Sequence, residues 1–309
     1  MTGLYILSGA LVLDILLSEA PNHFHPVAWL GKLISFLLRF VPGRGNAGQF
    51  IYGLVVVILT LAIITVPVYY LLTYFQDLSP IIYVIFSAYL LKNCFSLRGL
   101  WQAVDKVKLS LSSSNLGRAR RHANALVSRN VANLTQAQLM SAAIESCAEN
   151  LCDSFVAPLL YFAVFGLPGA VAYRIVNTFD AMIGFHGKWE YTGKFAAHLD
   201  DILNFIPARL SAILIIIASA ICKASAGNGW QTMLKQHSMT ESPNAGWTMS
   251  AMAGSLGIIL DKAGAYTLGS NKNELTLVAI GQSQAILMMA ASIWGIIVIA
   301  KEVLVNVAG

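Results

Sequence analysis

From Phe50 to Phe75 the chain reads FIYGLVVVILTLAIITVPVYYLLTYF, without one charged residue. A hydrocarbon core about 30 Å thick is crossed by a helix of about 20 apolar residues. This stretch therefore decides the fold: it predicts a membrane-spanning helix, with Pro67 a candidate kink. A short turn holding Asp77 follows, then PIIYVIFSAYLLKNCFSL (Pro80 to Leu97), so the two spans are expected to form a helical hairpin. Upstream, residues 3–20 read as a further span with Asp14 inside it. Downstream, LTLVAIGQSQAILMMAASIWGIIVIA (Leu275 to Ala300) reads as the last span. The whole composition agrees: 57% of residues are hydrophobic and 11% charged, with a mean hydropathy of +0.66. A soluble domain carries about 25% charged residues. The expected fold class is an all-α, polytopic integral membrane helical bundle with a broken or re-entrant hairpin and cytoplasmic helical loops. The first residues lack the basic region and small-residue cleavage site of a secretory signal and read as a retained helix.

The expected organisation is one membrane domain over 1–309. Residues 1–97 carry the N-terminal transmembrane helices, and 98–153 form a polar, mostly helical region. Residues 154–224 hold a broken hairpin and a catalytic segment, 225–274 a polar loop, and 275–300 the C-terminal span. In the polar region, Ser112 to Asn115 break one helix from the next, and Thr135 with Gln138 makes a capping-box pattern that opens another. The apolar run from Phe155 to Gly184 is interrupted by GLPG (Gly166 to Gly169), which favours a turn. Irregular backbone at membrane depth is tolerated where protein buries it, so a re-entrant hairpin is the expectation, with one continuous kinked span as the competing account. Pro207 suits the first position of the apolar helix that runs to Ala224. Arg98, Lys106, Lys108, Arg118, Arg120, Arg121 and Arg129 fall in one region, while the Phe75–Pro80 turn has no basic residue. The positive-inside rule therefore places the polar region, and with it the active face, in the cytoplasm of a multi-pass cell-membrane protein. No aromatic residues interleave with the basic ones, so nucleic acid is not an expected partner. Cys94, Cys147, Cys152 and Cys222 have no metal-ligand spacing and read as buried thiols.

Seven of the fifteen acids lie between Glu145 and Asp201. Glu145, Glu149 and Asp153 are spaced i, i+4, i+8, which puts them within about 80° of arc on one helix face. Like charges so placed repel, and that face has no Lys or Arg. A divalent cation, an Arg from another segment or a cationic substrate group must neutralise them. Arg174, Asn177 and Asp180 step by three residues beside an apolar segment, where ionisable groups are costly and by default functional; an internal Arg174–Asp180 ion pair is the competing account. Asp200 and Asp201 reach Asn204 at i+4 and i+3. Such hard oxygen donors make a candidate Mg²⁺ site, with Arg209 beyond Pro207 as a planar partner for a phosphate or carboxylate. Ser242, Asn244 and Gly246 belong to a tight-turn sequence whose backbone N–H groups are candidate anion donors. His23 and His25 alternate in an extended segment, so a shared metal is not expected; Trp29 reads as an interfacial anchor.

Five ordered motifs now resemble one family. They are HPVAWLGKLI (His25 to Ile34), AAIESCAENLCDSFVAPL (Ala142 to Leu159), GLPGAVAYRIVNTFDAMIG (Gly166 to Gly184), LDDILNFIPARL (Leu199 to Leu210) and SPNAGWTMSAMAGSLG (Ser242 to Gly257). Together they resemble the CobD/CbiB family of adenosylcobinamide-phosphate synthases, from about His25 to Gly269. The chain departs from that pattern at Asn130, where an acid is usual, at His198, where Arg is usual, and at Leu260 to Lys262, where a glycine pair is usual. The resemblance implies an ATP- and Mg²⁺-using ligase of cobalamin biosynthesis. It would join adenosylcobyric acid by an amide bond to (R)-1-amino-2-propanol or its O-phosphate. The partners implied are the corrinoid, the aminopropanol, the lipid bilayer and other corrinoid-pathway enzymes at the membrane.

Set against that chemistry, Glu145, Glu149, Asp180, Asp200 and Asp201 are the expected catalytic residues. Asp200, Asp201 and Asn204 are the expected metal ligands. His25, Asn150, Asp153, Arg174, Asn177, Asn204, Arg209, Ser242, Asn244 and Gly246 are the expected substrate contacts. An intramembrane prenyltransferase, and a non-catalytic transporter or sensor, are the alternatives; the paired aspartate motifs and inverted repeats they call for are not visible in the sequence.

Overall fold

The computed structural model describes residues 2–17, 25–43, 45–127 and 129–308. Their helices are α1 (Thr2–Leu16), α2 (Pro26–Leu37), α3 (Asn46–Leu78), α4 (Pro80–Cys94), α5 (Leu97–Ser112), α6 (Leu116–Ala123), α7 (Gln136–Leu151), α8 (Ala157–Ile183), α9 (Glu190–Leu203), α10 (Phe205–Ile221), α11 (Ala226–Gln236), α12 (Ala245–Leu256) and α13 (Leu277–Ala308). Two short strands, β1 (Ile259–Lys262) and β2 (Tyr266–Gly269), pair antiparallel. Among the described residues four helical runs are, by length and composition, long and apolar enough to cross a membrane: Asn46–Leu78, Pro80–Ser112, Gln136–Ile183 and Leu277–Val305. The protein is thus an all-α polytopic membrane bundle with one β-ribbon. Its contacts divide it into two compact units, Met1–Ser96 with Ala157–Leu203 and Val298–Gly309, and Leu97–Val156 with Asn204–Ile297.

In the first unit α3 and α4 form the expected hairpin, closed by an edge-on contact of the Phe75 and Phe86 rings with centroids 4.9 Å apart. Ile58, Leu59, Ile63 and Val66 are exposed along α3, as a lipid-facing surface requires. Helix α1 packs on α4, where Asp14 and Lys92 form a buried ion pair at 3.0 Å; this explains how an acid is carried within an apolar helix. The described part of α1 ends at Leu16 and has 15 residues, short for a span, and residues 18–20 lie outside the described part. Helix α9 lies so close to α8 that a Cβ on Gly193 would fall 1.7 Å from the Ile183 carbonyl oxygen.

Helix α8 is two arms. Gly166 has φ 67° and ψ −165°, a conformation open to glycine alone. The Tyr161 and Tyr173 rings stack with centroids 5.1 Å apart, although twelve residues of straight helix would separate them by about 18 Å. The chain therefore reverses at Gly166, and the broken hairpin expected from GLPG is formed. Val164 and Phe165 are exposed at its tip.

In the second unit, Asn115 caps α6 by accepting the Arg118 N–H at 2.9 Å. Thr135 and Gln138 cap α7 reciprocally, both as the sequence signals. The stretch read as a polar loop, 225–274, holds α11, α12 and the β-ribbon. Helix α12 is almost wholly buried because its small residues let α11 approach: a Cβ on Gly254 would meet Thr232 at 2.5 Å. Pro207 stands third in α10, two residues after its start at Phe205, still within the first turn where no N–H is needed.

Candidate functional site

Glu145 is buried on α7 and is met from three directions. Ser141, one turn earlier, donates to Oε1. The Tyr266 hydroxyl donates to Oε2 at 3.0 Å from β2. Arg129 Nη2 lies 3.1 Å from Oε2. Of the three neutralising groups the acid face calls for, the fold supplies an Arg from another segment. Ser141 Oγ also accepts the Asp261 N–H at 2.9 Å, which ties the β-ribbon to α7. Burial, then the Glu145 carboxylate and its hydrogen bond, then Glu149, push the Tyr266 phenol far above its ordinary range, with Arg129 opposing. Tyr266 is therefore a fixed donor. Asp153 falls in the π-helical turn Cys152–Val156 that follows α7, where the register of a straight α-helix is lost; the three-acid face narrows to Glu145 and Glu149. Asn150 is turned to its own helix, donating to the Ser146 carbonyl and hydroxyl at 3.0 Å each.

Arg209, on α10, is held flat. Its guanidinium sits 3.5 Å from the Phe205 ring centre and 4.7 Å from that of Trp247. Nη1 donates to the Phe205 carbonyl at 2.6 Å and to Asn244 Oδ1 at 3.3 Å. Trp247 stacks in turn on His237, centroids 4.0 Å apart. The Ser242–Gly246 turn corrects one expectation. The N–H groups of Asn244 and Ala245 donate to Ser242 Oγ at 3.3 and 3.5 Å, so these two donors serve the turn itself. A Cβ on Gly246 would fall 2.0 Å from the His237 carbonyl oxygen, so the residue is small because α12 begins against that carbonyl.

The start of α12 joins the two groups. Asn244 and Trp247 flank Arg209, and Met249 Sδ lies 3.6 Å from Tyr266 Oη, beside Glu145. These residues cover about 7.5 Å of helix axis. Trp247 and Met249 lie about 200° apart around the helix, so the buried carboxylate and the planar guanidinium lie against different faces of α12.

In the first unit Arg174 Nη1 donates to Asn177 Oδ1 at 3.3 Å, and Asn177 Nδ2 donates to Asp200 Oδ1 at 3.3 Å. Arg174 is thus linked to Asp200 through an amide, an arrangement the sequence spacing did not foresee. Asp180 lies against Gly184, where a Cβ would meet its Oδ1 at 2.0 Å. Asp200 is buried and Asp201 half-buried. In the second unit Asn204 stands at the N-cap position of α10 with no side-chain cap bond, and its Oδ1 accepts from Cys152 Sγ at 3.7 Å. Among the described residues no three His, Cys, Asp or Glu side chains group as a metal site. In the first unit Asp200 and Asp201 are two adjacent carboxylates, and such hard oxygens fit Mg²⁺, which takes one or two carboxylates and completes its shell with water and phosphate. His25 precedes α2 as its N-cap residue; His23 lies outside the described residues.

Several N–H donors in these groups are buried without a hydrogen-bond acceptor: Arg129 Nε, Arg174 Nε and Trp247 Nε1. Buried donors are normally satisfied, and an anionic ligand is the partner they suit. Sequence reasoning passed over Tyr266, Ser141 and Trp247. It read Arg129 only as one of the basic residues that set orientation.

The description "CobD/Cbib protein" matches residues 7–292 of the chain. The chain is 46% identical over 288 residues to "Cobalamin biosynthesis protein CobD" of Dehalococcoides mccartyi, covering 93% of this chain and 94% of that one. It is 41% identical over 272 residues to "Probable cobalamin biosynthesis protein CobD" of Pyrococcus abyssi, with 86% of each chain covered. The namesake in Methanocaldococcus jannaschii is 36% identical over 275 residues, 87% of this chain and 89% of that one. No solved structure matches.

Proposed function

Because the chain belongs to the CobD/CbiB family, and so to cobalamin biosynthesis, we propose that it forms the amide bond between adenosylcobyric acid and (R)-1-amino-2-propanol or its O-phosphate. One observation carries the reading: α12 meets, on one face, the cluster of the buried Glu145 carboxylate, suited to an ammonium group, and on another face Arg209 and the unfilled Trp247 N–H, suited to an anion. Glu145 receives the amino group and takes its proton, which frees the lone pair for attack. Tyr266, Ser141 and Arg129 hold that carboxylate in one orientation. Arg209 presents the edge of its guanidinium to a phosphate or carboxylate while Phe205 and Trp247 cover its faces. ATP with Mg²⁺, when bound, supplies the activation that a carboxylate needs before an amine can displace its oxygen. Asp200 and Asp201 would hold the metal, with Asp200 oriented by the Asn177–Arg174 link. The active face is cytoplasmic in this reading.

The test is amide formation from the two substrates with ATP and Mg²⁺, by purified protein in lipid, read by mass spectrometry. Glu145→Gln is isosteric and is expected to lower kcat at least about a hundredfold. Asp200→Ala or Asp201→Ala is expected to raise the Mg²⁺ needed for half-maximal rate. Product formation at the full rate by all three variants would overturn the assignment.

A further inference from the structure

Helix α2 carries a feature that amide chemistry does not use. Its core face is Leu30 and Ile34, yet Trp29, Leu33 and Phe36 are also exposed. On a helical wheel these three fall within about 60° of arc, and Lys32 borders them about 40° further on. Lys32, Ser35 and Arg39, with Ala28, Gly31, Phe36 and Met182 of α8, line a groove of about 470 Å³. No acid is among its lining residues. The helix therefore has an apolar stripe, exposed where a soluble protein would bury it, with two cations along one edge.

Its depth follows from α3. The Tyr52 hydroxyl donates to the Leu37 carbonyl at 2.7 Å, so the end of α2 is tied about 9 Å from the start of α3. Helix α3 has 33 residues and is about 50 Å long, some 20 Å more than the hydrocarbon core. A tie 9 Å from its end sits where hydrocarbon gives way to headgroups. An apolar stripe with Trp and Phe, edged by Lys and Arg, is what lies in that plane.

We infer that the α2–α8 groove is a binding site for an anionic phospholipid. Its phosphate sits between Lys32 and Arg39, the Ser35 hydroxyl stands beside it, and its acyl chains run along Trp29, Leu33 and Phe36. The site does not depend on which reaction the protein performs. Phosphate is the recognised group, and the apolar stripe selects the lipid as its source.

The experiment uses the full chain in detergent with phosphatidylglycerol or phosphatidylcholine, read by native mass spectrometry. The wild-type protein is expected to retain phosphatidylglycerol. Lys32→Ala with Arg39→Ala is expected to weaken that retention about thirtyfold, the worth of two cations at an anionic surface, and to leave phosphatidylcholine unaffected. The exchange Lys32→Arg with Arg39→Lys keeps both charges and should keep the lipid. If the double alanine variant fails to fold, Lys32→Gln alone should weaken retention about fivefold. Equal retention by the wild type and the charge-removed variant overturns the proposal. So does inorganic phosphate at millimolar concentration displacing the lipid, which would make the groove a site for soluble phosphate.

Discussion

Glu145 shows how a single buried acid is tolerated in this fold. Its side chain is 5% exposed and that of Arg129 17% exposed, so removing the cation leaves a carboxylate in a medium that does not solvate it. Arg129→Ala is expected to destabilise the protein by about 3 kcal/mol, and Glu145→Gln in the same chain should restore much of the loss; thermal unfolding in detergent across the double-mutant cycle checks this. Arg209→Lys keeps the charge and loses the plane that lies between Phe205 and Trp247. The expected result is about a tenfold higher KM for the anionic substrate with a smaller change in kcat, read from steady-state kinetics. The i, i+4 spacing made the repulsion of Glu145 and Glu149 legible, together with the need for a counter-charge. The partner was not legible, because Tyr266 is 121 positions away in sequence and only the tertiary fold brings it back.

Gly166 decides the shape of α8 as an element. Any side chain there meets a backbone conformation that L-residues avoid, so Gly166→Ala is expected to cost about 1–3 kcal/mol. A lowered Tm and reduced yield in the membrane would register it, while Gly227→Ala, at an open position, should be neutral or stabilising. The composition of GLPG announced the turn, as the capping box at Thr135 announced α7, because both are local signals. The β-ribbon at Ile259–Gly269 gave no comparable signal: each strand has four residues, too few for alternation to stand out. Helix α12 was partly legible: Gly254 and Gly257 mark a small-residue helix face suited to close packing, although the stretch 225–274 as a whole read as a polar loop.

At the scale of the molecule, the α3–α4 hairpin fixes what can be tested without substrate. Asn46 begins α3 on one side of the bilayer and the Asp77 turn lies on the other. Cys94, Cys147 and Cys152 are buried, whereas Cys222, expected to be buried too, is half-buried; with Cys222 replaced by Ala, introduced thiols at Asp77 and Gly43 should be labelled by impermeant maleimide from opposite sides. Labelling of both from one side would refute the crossing. Apolar length alone made these spans legible. The grouping into two compact units was not, since the first unit gathers segments from the start, middle and end of the chain.

The column formed by His237, Trp247, Arg209 and Phe205 has an optical consequence. Indole emission responds to charge placed against the ring, and Trp247 has an imidazole and a guanidinium within 5 Å of its centre. An anion that draws on Arg209 changes that field. Of the six tryptophans, Trp247 is then the built-in reporter of an occupied site, and Trp247→Phe should silence the signal.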